Sequence, residues 1–346
     1  MGQYLLNIGS KENPEYLVQD PSQKNQIVSE AMSYGLILCV ILTKLFPHRA
    51  QEFDNVFKGL IAGLRYFEGG LLPYWKVVKQ GDTYVVPADQ KATAADAEIV
   101  IAWALLAAQE LIKKKKWKEL TKNLYTKMAQ EILQEIYHKE IKRIPYNWGQ
   151  RLFLKPSREW GGLKAVNEVV QNPSYLWLDA FKVFIKQDKK NRNIWRKLYK
   201  DSVWLFKQII TQKGQIFDWG RVTFLPSGVI EFNALGQGLS FQQTFDGVRA
   251  LFILGMDKQK KLCRNLLKGK KISEAIITPE KPTKALALAS LLALAYGAKD
   301  KRKIQEITGS LMEQYNWEEG YFGDRKERYY NNTLIMLLIS KIILGA

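Results

Sequence analysis

Apolar positions along this chain recur mostly at helical spacing. That period predicts helices over 26–46, 51–66, 93–112, 117–137, 174–187, 194–211, 238–255, 257–267, 283–297, 300–314 and 329–344. Strict alternation is scarce, and 84–86 and the stretch around Val222–Phe232 are the two strand candidates. Two kinds of helix follow one another. Segments 33–46, 97–108 and 285–297 are apolar on nearly every side and must be buried. Segments 113–137, 186–211 and 257–268 are amphipathic and lysine-rich, so they face water on one side. Buried helices alternating with half-exposed ones predict two concentric layers, an all-α toroid with a few short strands in its loops.

Segments 67–92, 139–172, 212–236, 268–282 and 314–328 hold most of the Gly, Pro and Trp, and loops of that length tend to carry function. No Gly/Ser-rich or Pro-rich linker divides the chain, so a single domain over 1–346 is expected, with 1–25 as an N-terminal extension. The apolar runs Gly35–Leu42 and Ala285–Ala298 fall short of the roughly 20 residues a bilayer needs. The first residues lack a basic stretch followed by an apolar one, so no signal peptide is expected within this chain.

Composition narrows the chemistry. Only His48 and His138 occur in 346 residues, which argues against a His-rich metal centre. Proton transfer would fall to carboxylates, and neither metal nor cofactor is expected. Cys39 and Cys263 lie far apart in apolar surroundings and read as two buried thiols. Lys and Arg number 52 against 34 Asp and Glu, a net charge of +18. Clusters at 113–116, 186–200, 258–271 and 299–303 read as the solvated face of outer helices, which would fit an anionic surface. They contain no recognised nucleic-acid motif, so no specific nucleic-acid partner is expected.

Three constellations stand out. Glu30 opens an apolar helix, with Ser33 and Tyr34 at i+3 and i+4 on its face. A carboxyl among apolar and aromatic groups can have the raised pKa of a general acid, although an acid in a first turn also simply favours the helix dipole. Thr93 and Asp96 have the spacing of a capping box. That leaves unexplained why Asp96 and Glu98 both precede a helix apolar on nearly every side, since buried acids require a partner or a function. Asp246 and Arg249, at i and i+3, form either a plain helical ion pair or a carboxylate held ionised to activate water. Asn172-Pro173-Ser174-Tyr175 fits a helix start, with Asn at the N-cap and Pro at N1. Among ten tryptophans, Trp75, Trp148, Trp177 and Trp219 are candidate stacking platforms for sugar faces.

These pieces, in this order, resemble glycoside hydrolase family 8, built on an (α/α)6 barrel. Ser29-Glu30-Ala31-Met32-Ser33-Tyr34-Gly35 resembles the family's S-E-G-x-S/A-Y-G segment. Ala94-Ala95-Asp96-Ala97-Glu98, with Ile101-Ala102-Trp103-Ala104-Leu105-Leu106, resembles A-S/T-D-A-D-x-x-I-A-x-A-L-L. Phe245-Asp246-Gly247-Val248-Arg249 is similar to Y-D-A-V-R, Asn172–Tyr175 to N-P-S-Y, and Tyr329-Tyr330-Asn331-Asn332 to a near-C-terminal Y-Y-D/N segment. The resemblance implies Glu30 as general acid, Asp246 as general base and Asp96 as the residue holding the distorted sugar. It also implies that Tyr175 positions the water and Arg249 supports the base. Tyr34, Trp75, Glu98 and Trp219 are expected in substrate binding. Ala31, Ala95, Glu98 and Gly247 depart from the usual residues and mark a divergent member.

The implied activity is inverting hydrolysis of a β-1,4-linked polysaccharide by a secreted or periplasmic monomer, of the endo-β-1,4-glucanase kind. Neutral β-glucan ranks before xylan, and chitosan last, because a cationic protein repels a polycation. The alternatives are a glycan-binding protein on the same fold, or a basic protein that binds anionic surfaces or nucleic acid.

Overall fold

The computed structural model describes residues 4–20, 25–69, 72–118, 121–147, 149–162, 165–214, 216–225, 227–234, 245–268, 284–318, 320–323 and 329–344. The chain divides into two compact units. One comprises Met1–Glu140, Ser157–Glu159 and Arg328–Thr333, and the other Ile141–Pro156, Trp160–Glu327 and Leu334–Ala346.

The first unit opens with strands β1 (Leu5–Asn7), β2 (Tyr16–Val18) and β3 (Gln26–Val28), then helices α1 (Ser29–Leu45) and α2 (Ala50–Gly63). Strands β4 (Lys76–Gln80) and β5 (Thr83–Val85) precede helices α3 (Ala95–Lys113) and α4 (Leu124–Lys139). Helices α1 and α3 are buried on nearly every side and pack on each other. Their partners α2 and α4 bury one stripe each, Phe53, Phe57 and Leu60 on α2, and Tyr125, Ala129, Ile132 and Ile136 on α4. A Cβ on Gly35 would lie 2.9 Å from Val18 Cγ2 and 3.1 Å from a Leu60 methyl, so this glycine sets how closely α1 meets its neighbours.

Two expected helix starts are corrected here. Residues 26–28 are strand, because β3 pairs with β4 (Val28 opposite Lys76) before the chain turns into α1. Residues 117–123 are not helical among those described. Trp117 is tucked inward with its indole donating to Thr43 Oγ1 at 3.0 Å, and Asn123 adopts φ 57° just before α4 begins.

The second unit carries the hairpin β6 (Ile141–Tyr146) and β7 (Gly149–Leu154), strand β8 (Glu168–Gln171), and helices α5 (Leu178–Gln187) and α6 (Arg192–Lys213). Strands β9 (Gly220–Phe224) and β10 (Ile230–Ala234) follow, with antiparallel order β10-β9-β8. Helices α7 (Phe245–Met256), α8 (Lys260–Leu267), α9 (Lys284–Ala298) and α10 (Lys301–Met312) come next, then strands β11 (Tyr315–Asn316) and β12 (Tyr321–Phe322) and helix α11 (Tyr329–Ile343), whose residues up to Thr333 belong to the first unit. The expected segment 174–187 starts as a 3-10 turn over Pro173–Tyr175 and becomes α-helical at Leu178. The expected helical stretch 238–244 lies outside the described residues.

The apolar helices α7 and α9 pack directly together. A Cβ on Gly255 would sit 2.1 Å from the Ala293 carbonyl oxygen, so any side chain there forces the two helices apart. Gly255→Ala should therefore destabilise the protein by about 1–3 kcal/mol. A thermal melt would show this as a lowered Tm. Cys39 and Cys263 are buried free thiols, and burial pushes the Cys263 thiol up to about 12.

Helices α6 and α8 are the basic, half-exposed kind. Arg192, Arg196, Lys200 and Lys207 form one exposed stripe along α6, and Lys260, Arg264 and Lys268 another along α8. The nearby acids turn inward. Asp188 accepts from Trp195 Nε1 at 2.7 Å, Asp201 from Arg151 at 2.6 Å, and Asp257 from the Tyr199 hydroxyl at 3.0 Å.

Candidate active site

In the first unit, one backbone thread joins three stretches that are distant in sequence. Ser29 N–H donates to Trp75 O at 2.9 Å, Trp75 N–H donates to Ala92 O at 2.7 Å, and Tyr74 forms a bridge with Thr93. The start of α1, Trp75 and the entry to α3 are thereby held side by side. Glu30 lies half-buried in the first turn of α1, and the Tyr34 hydroxyl donates to its Oε1 at 3.2 Å. Tyr34 is 1% exposed, so it reaches Glu30 from inside the helix layer instead of offering a ring to solvent. Trp75 is half-buried, with the Lys76 ammonium 4.7 Å from its ring centroid, covering one indole face.

The capping box does not form. Helix α3 starts at Ala95 with Ala94 as N-cap, which leaves Thr93 one residue outside. Thr93 instead anchors a buried polar cluster. Its N–H donates to Glu159 Oε2 at 2.9 Å, and its hydroxyl oxygen lies 3.1 Å from the same atom. The same hydroxyl lies 3.2 Å from Ser157 Oγ and 3.3 Å from Glu140 Oε1, and it accepts the Arg158 N–H at 3.1 Å. The Arg158 guanidinium bonds Glu159 and the Gly69 carbonyl oxygen. Burial pushes the Glu159 carboxyl up, but Ser157, Arg158 and the Thr93 amide outweigh it and hold it below the usual range. Glu98 behaves in the opposite way. Burial, then the neighbouring Glu140 charge and a carboxyl–carboxyl hydrogen bond, raise it well above the usual range. Asp96 is buried beside it.

In the second unit, Asp246 occupies the first turn of α7 within a ring of donors. Its Oδ2 accepts from Asn172 Nδ2 and Trp219 Nε1, both at 2.9 Å. Its Oδ1 accepts from Arg249 Nη2 at 3.1 Å and lies 3.4 Å from Ser174 Oγ. Asn172 is also the expected N-cap, accepting Ser174 N–H at 3.0 Å. Arg249 is 1% exposed, donates to Ser174 Oγ at 2.7 Å, and its guanidinium carbon lies 5.3 Å from the Tyr175 ring centroid. Asp218 accepts the Gly247 N–H at 2.7 Å and so fixes the start of α7.

The ion pair expected between Asp246 and Arg249 is present, but it does not hold the acid low. Burial raises the Asp246 pKa, and the hydrogen bonds from Asn172, Trp219 and Ser174 only partly offset this. The side chain keeps 25% of its surface open, so water can reach it. A carboxylate raised by burial and with access to water has the properties of a general base.

Trp219 stacks on Trp160 at 5.4 Å between centroids and meets Tyr175 edge-on at 5.5 Å. Trp160, 44% exposed, offers an aromatic face that sequence reasoning missed. Its one clue was its place in the long segment 139–172, which also contains the missed Glu140, Ser157, Arg158 and Glu159. Trp177 is corrected. It is buried against Phe252 at 6.0 Å, as core packing and not as a platform. Trp148 and residues 241–244 lie outside the described residues.

The family profile described as "Glycosyl hydrolases family 8" matches residues 9–341. The chain belongs to this family. It is 26% identical over 234 residues to Endoglucanase A of Acetivibrio thermocellus, covering 67% of this chain and 42% of that protein. The chain thus spans under half the length of that relative. Among solved structures it is similar to an endo-1,4-D-glucanase from Vibrio fischeri ES114, with TM-score 0.69, 19% identity and coverage of 99% and 92% of the two chains. It is also similar to Rex8A from Paenibacillus barcinonensis, solved with xylose, with TM-score 0.71, 17% identity and coverage of 99% and 87%. The fold is that of the family, all-α of the (α/α)6-barrel type with short strands, as the family resemblance implied.

Proposed function

We propose that this family 8 member is an inverting glycoside hydrolase acting on β-1,4-linked polysaccharide. The observation that carries the reading is Asp246, raised by burial, open to water and aimed by four donors. Glu30 protonates the leaving glycosidic oxygen. Asp246 deprotonates a water that attacks the opposite face of the sugar, a division of labour that in inverting enzymes sets the carboxyls roughly 6.5–9.5 Å apart. Asp96 holds the distorted sugar, Tyr175 positions the water and Arg249 steadies the base. Trp75 and the Trp160–Trp219 pair supply aromatic faces for sugar rings. Tyr34 supports Glu30 through its hydroxyl, and Glu98 supports the start of α3 beside Asp96. Residues 1–346 work as one catalytic domain, and no metal or cofactor takes part.

Neutral β-glucan is the first substrate, xylan the second and chitosan the third. The test is a panel of these polymers with products resolved by size and anomer. Release of α-anomers from β-glucan is expected. Retained configuration, or no cleavage of any polymer, overturns the proposal.

The donor ring gives a separate pH prediction. Asn172→Ala removes a hydrogen bond to the Asp246 anion, worth about 1.5–3 kcal/mol for a charged acceptor. Loss of a donor to the charged form raises the pKa, so the acidic limb of kcat/KM should move about 1–2 units toward higher pH. A pH–rate profile reads this directly.

A further inference from the structure

Glu98 is 0% exposed, and neither of its oxygens accepts a hydrogen bond from an amide, hydroxyl or cation among the described residues. Its neighbour is the carboxyl of Glu140, also 0% exposed, at the C-terminal end of α4. An ionised carboxylate with no donor in such a place is strongly disfavoured, and two of them facing each other more so. A proton between them resolves both problems.

We infer that Glu98 and Glu140 share one proton and act as a positioning pair that holds Asp96 and Thr93 in place for the proposed hydrolysis. The geometry shows how. Glu98 sits two residues after Asp96 in the first turn of α3. Glu140 accepts the Thr93 hydroxyl at 3.3 Å, immediately before the same helix. The pair therefore ties both sides of the α3 entry to the end of α4. The groups facing it are Asp96 on α3, Thr93 before it, and Ser157, Arg158 and Glu159 on the segment beside them. Arg158 favours charge on Glu98, while Asp96 and Glu140 oppose it. The family resemblance places an Asp at this position, one methylene shorter. Loss of the shared proton would set two buried anions against each other and push the α3 entry, with Asp96, away from α4.

The inference rests on the hydrolase reading for its catalytic consequence but not for its chemistry, and the experiment separates the two. Infrared spectra of the wild type at neutral pH should show a protonated carboxylic C=O band that is lost in both Glu98→Gln and Glu140→Gln. The sign of the pH effect follows from a raised carboxyl. Its stabilising contribution is full below the unfolded-state pKa and is lost as pH rises through the folded-state value. Wild-type Tm should therefore fall across that window, and Glu98→Gln, a neutral isostere, should flatten the fall. On β-glucan, Glu98→Gln should move the alkaline limb of the kcat profile to higher pH.

Absence of the band, or identical Tm–pH curves for wild type and variants, overturns the shared proton. A folded Glu98→Gln that loses kcat by about 100-fold overturns it too, because a charge would then be required. Glu140→Gln gives the same readouts should Glu98→Gln fail to fold. If no polymer is cleaved by any form, the hydrolase reading fails while the infrared and thermal results still decide the proton.

Discussion

Glu30→Gln should lower kcat on β-glucan by about 10²–10⁴-fold, the range that a positioned general acid contributes. The substitution is nearly isosteric, and the Tyr34 hydroxyl can still donate to the amide oxygen at this position. Fold and ground-state binding should therefore survive, so KM and Tm should stay near wild type. The loss should depend on the leaving group. An aryl glycoside with an acidic phenol needs little protonation, and its hydrolysis should be far less impaired than that of the polymer. Equal losses on both substrates would mean that Glu30 is not the acid.

Asp246→Asn is expected to be equally severe in kcat but to differ in two respects. First, the amide cannot take a proton from water, so a better leaving group gives no rescue. Azide, which needs no deprotonation, should restore turnover and yield an α-glycosyl azide. Second, the site is built for an anion. The carboxylate oxygens accept from Asn172, Trp219 and Arg249, so an amide NH₂ there meets donors with a donor. Arg249, 1% exposed, loses its counter-charge and keeps Ser174 as an acceptor. A stability loss on the order of 1–3 kcal/mol follows, seen as a lowered Tm. Wild-type rates in Asp246→Asn would remove Asp246 from the mechanism.

Much of this architecture was legible in the residue pattern, for a physical reason. Helices such as α1, α3 and α9 are apolar all round, and only burial between other helices can accommodate that. The Asn172 cap was also legible, because N-cap chemistry is local. The misses are the non-local features. Strand β3 was read as the start of α1 because three residues cannot show a period, and only pairing with β4 fixes them as strand. The Thr93 capping box had the correct spacing, but a one-residue shift in the start of α3 released the hydroxyl to Glu140, Ser157 and Glu159. Trp160 was invisible as a partner of Trp219, since no sequence rule relates positions so far apart. The donor ring of Asp246 likewise draws on three separate stretches, and its net effect depends on burial, which no motif encodes.

The inward-turned acids near α6 and α8 have a mechanical consequence. Asp188, Asp201 and Asp257 neutralise interior donors, so the rows Arg192–Arg196–Lys200–Lys207 and Lys260–Arg264–Lys268 face solvent as like charges about one helical turn apart or more. Like-charge repulsion between neighbours less than about a Debye length apart loads this outer shell as a compressed spring. Dissolved salt relaxes it. Moderate salt should thus harden the fold against heat, the reverse of what a shell held by surface ion pairs would do.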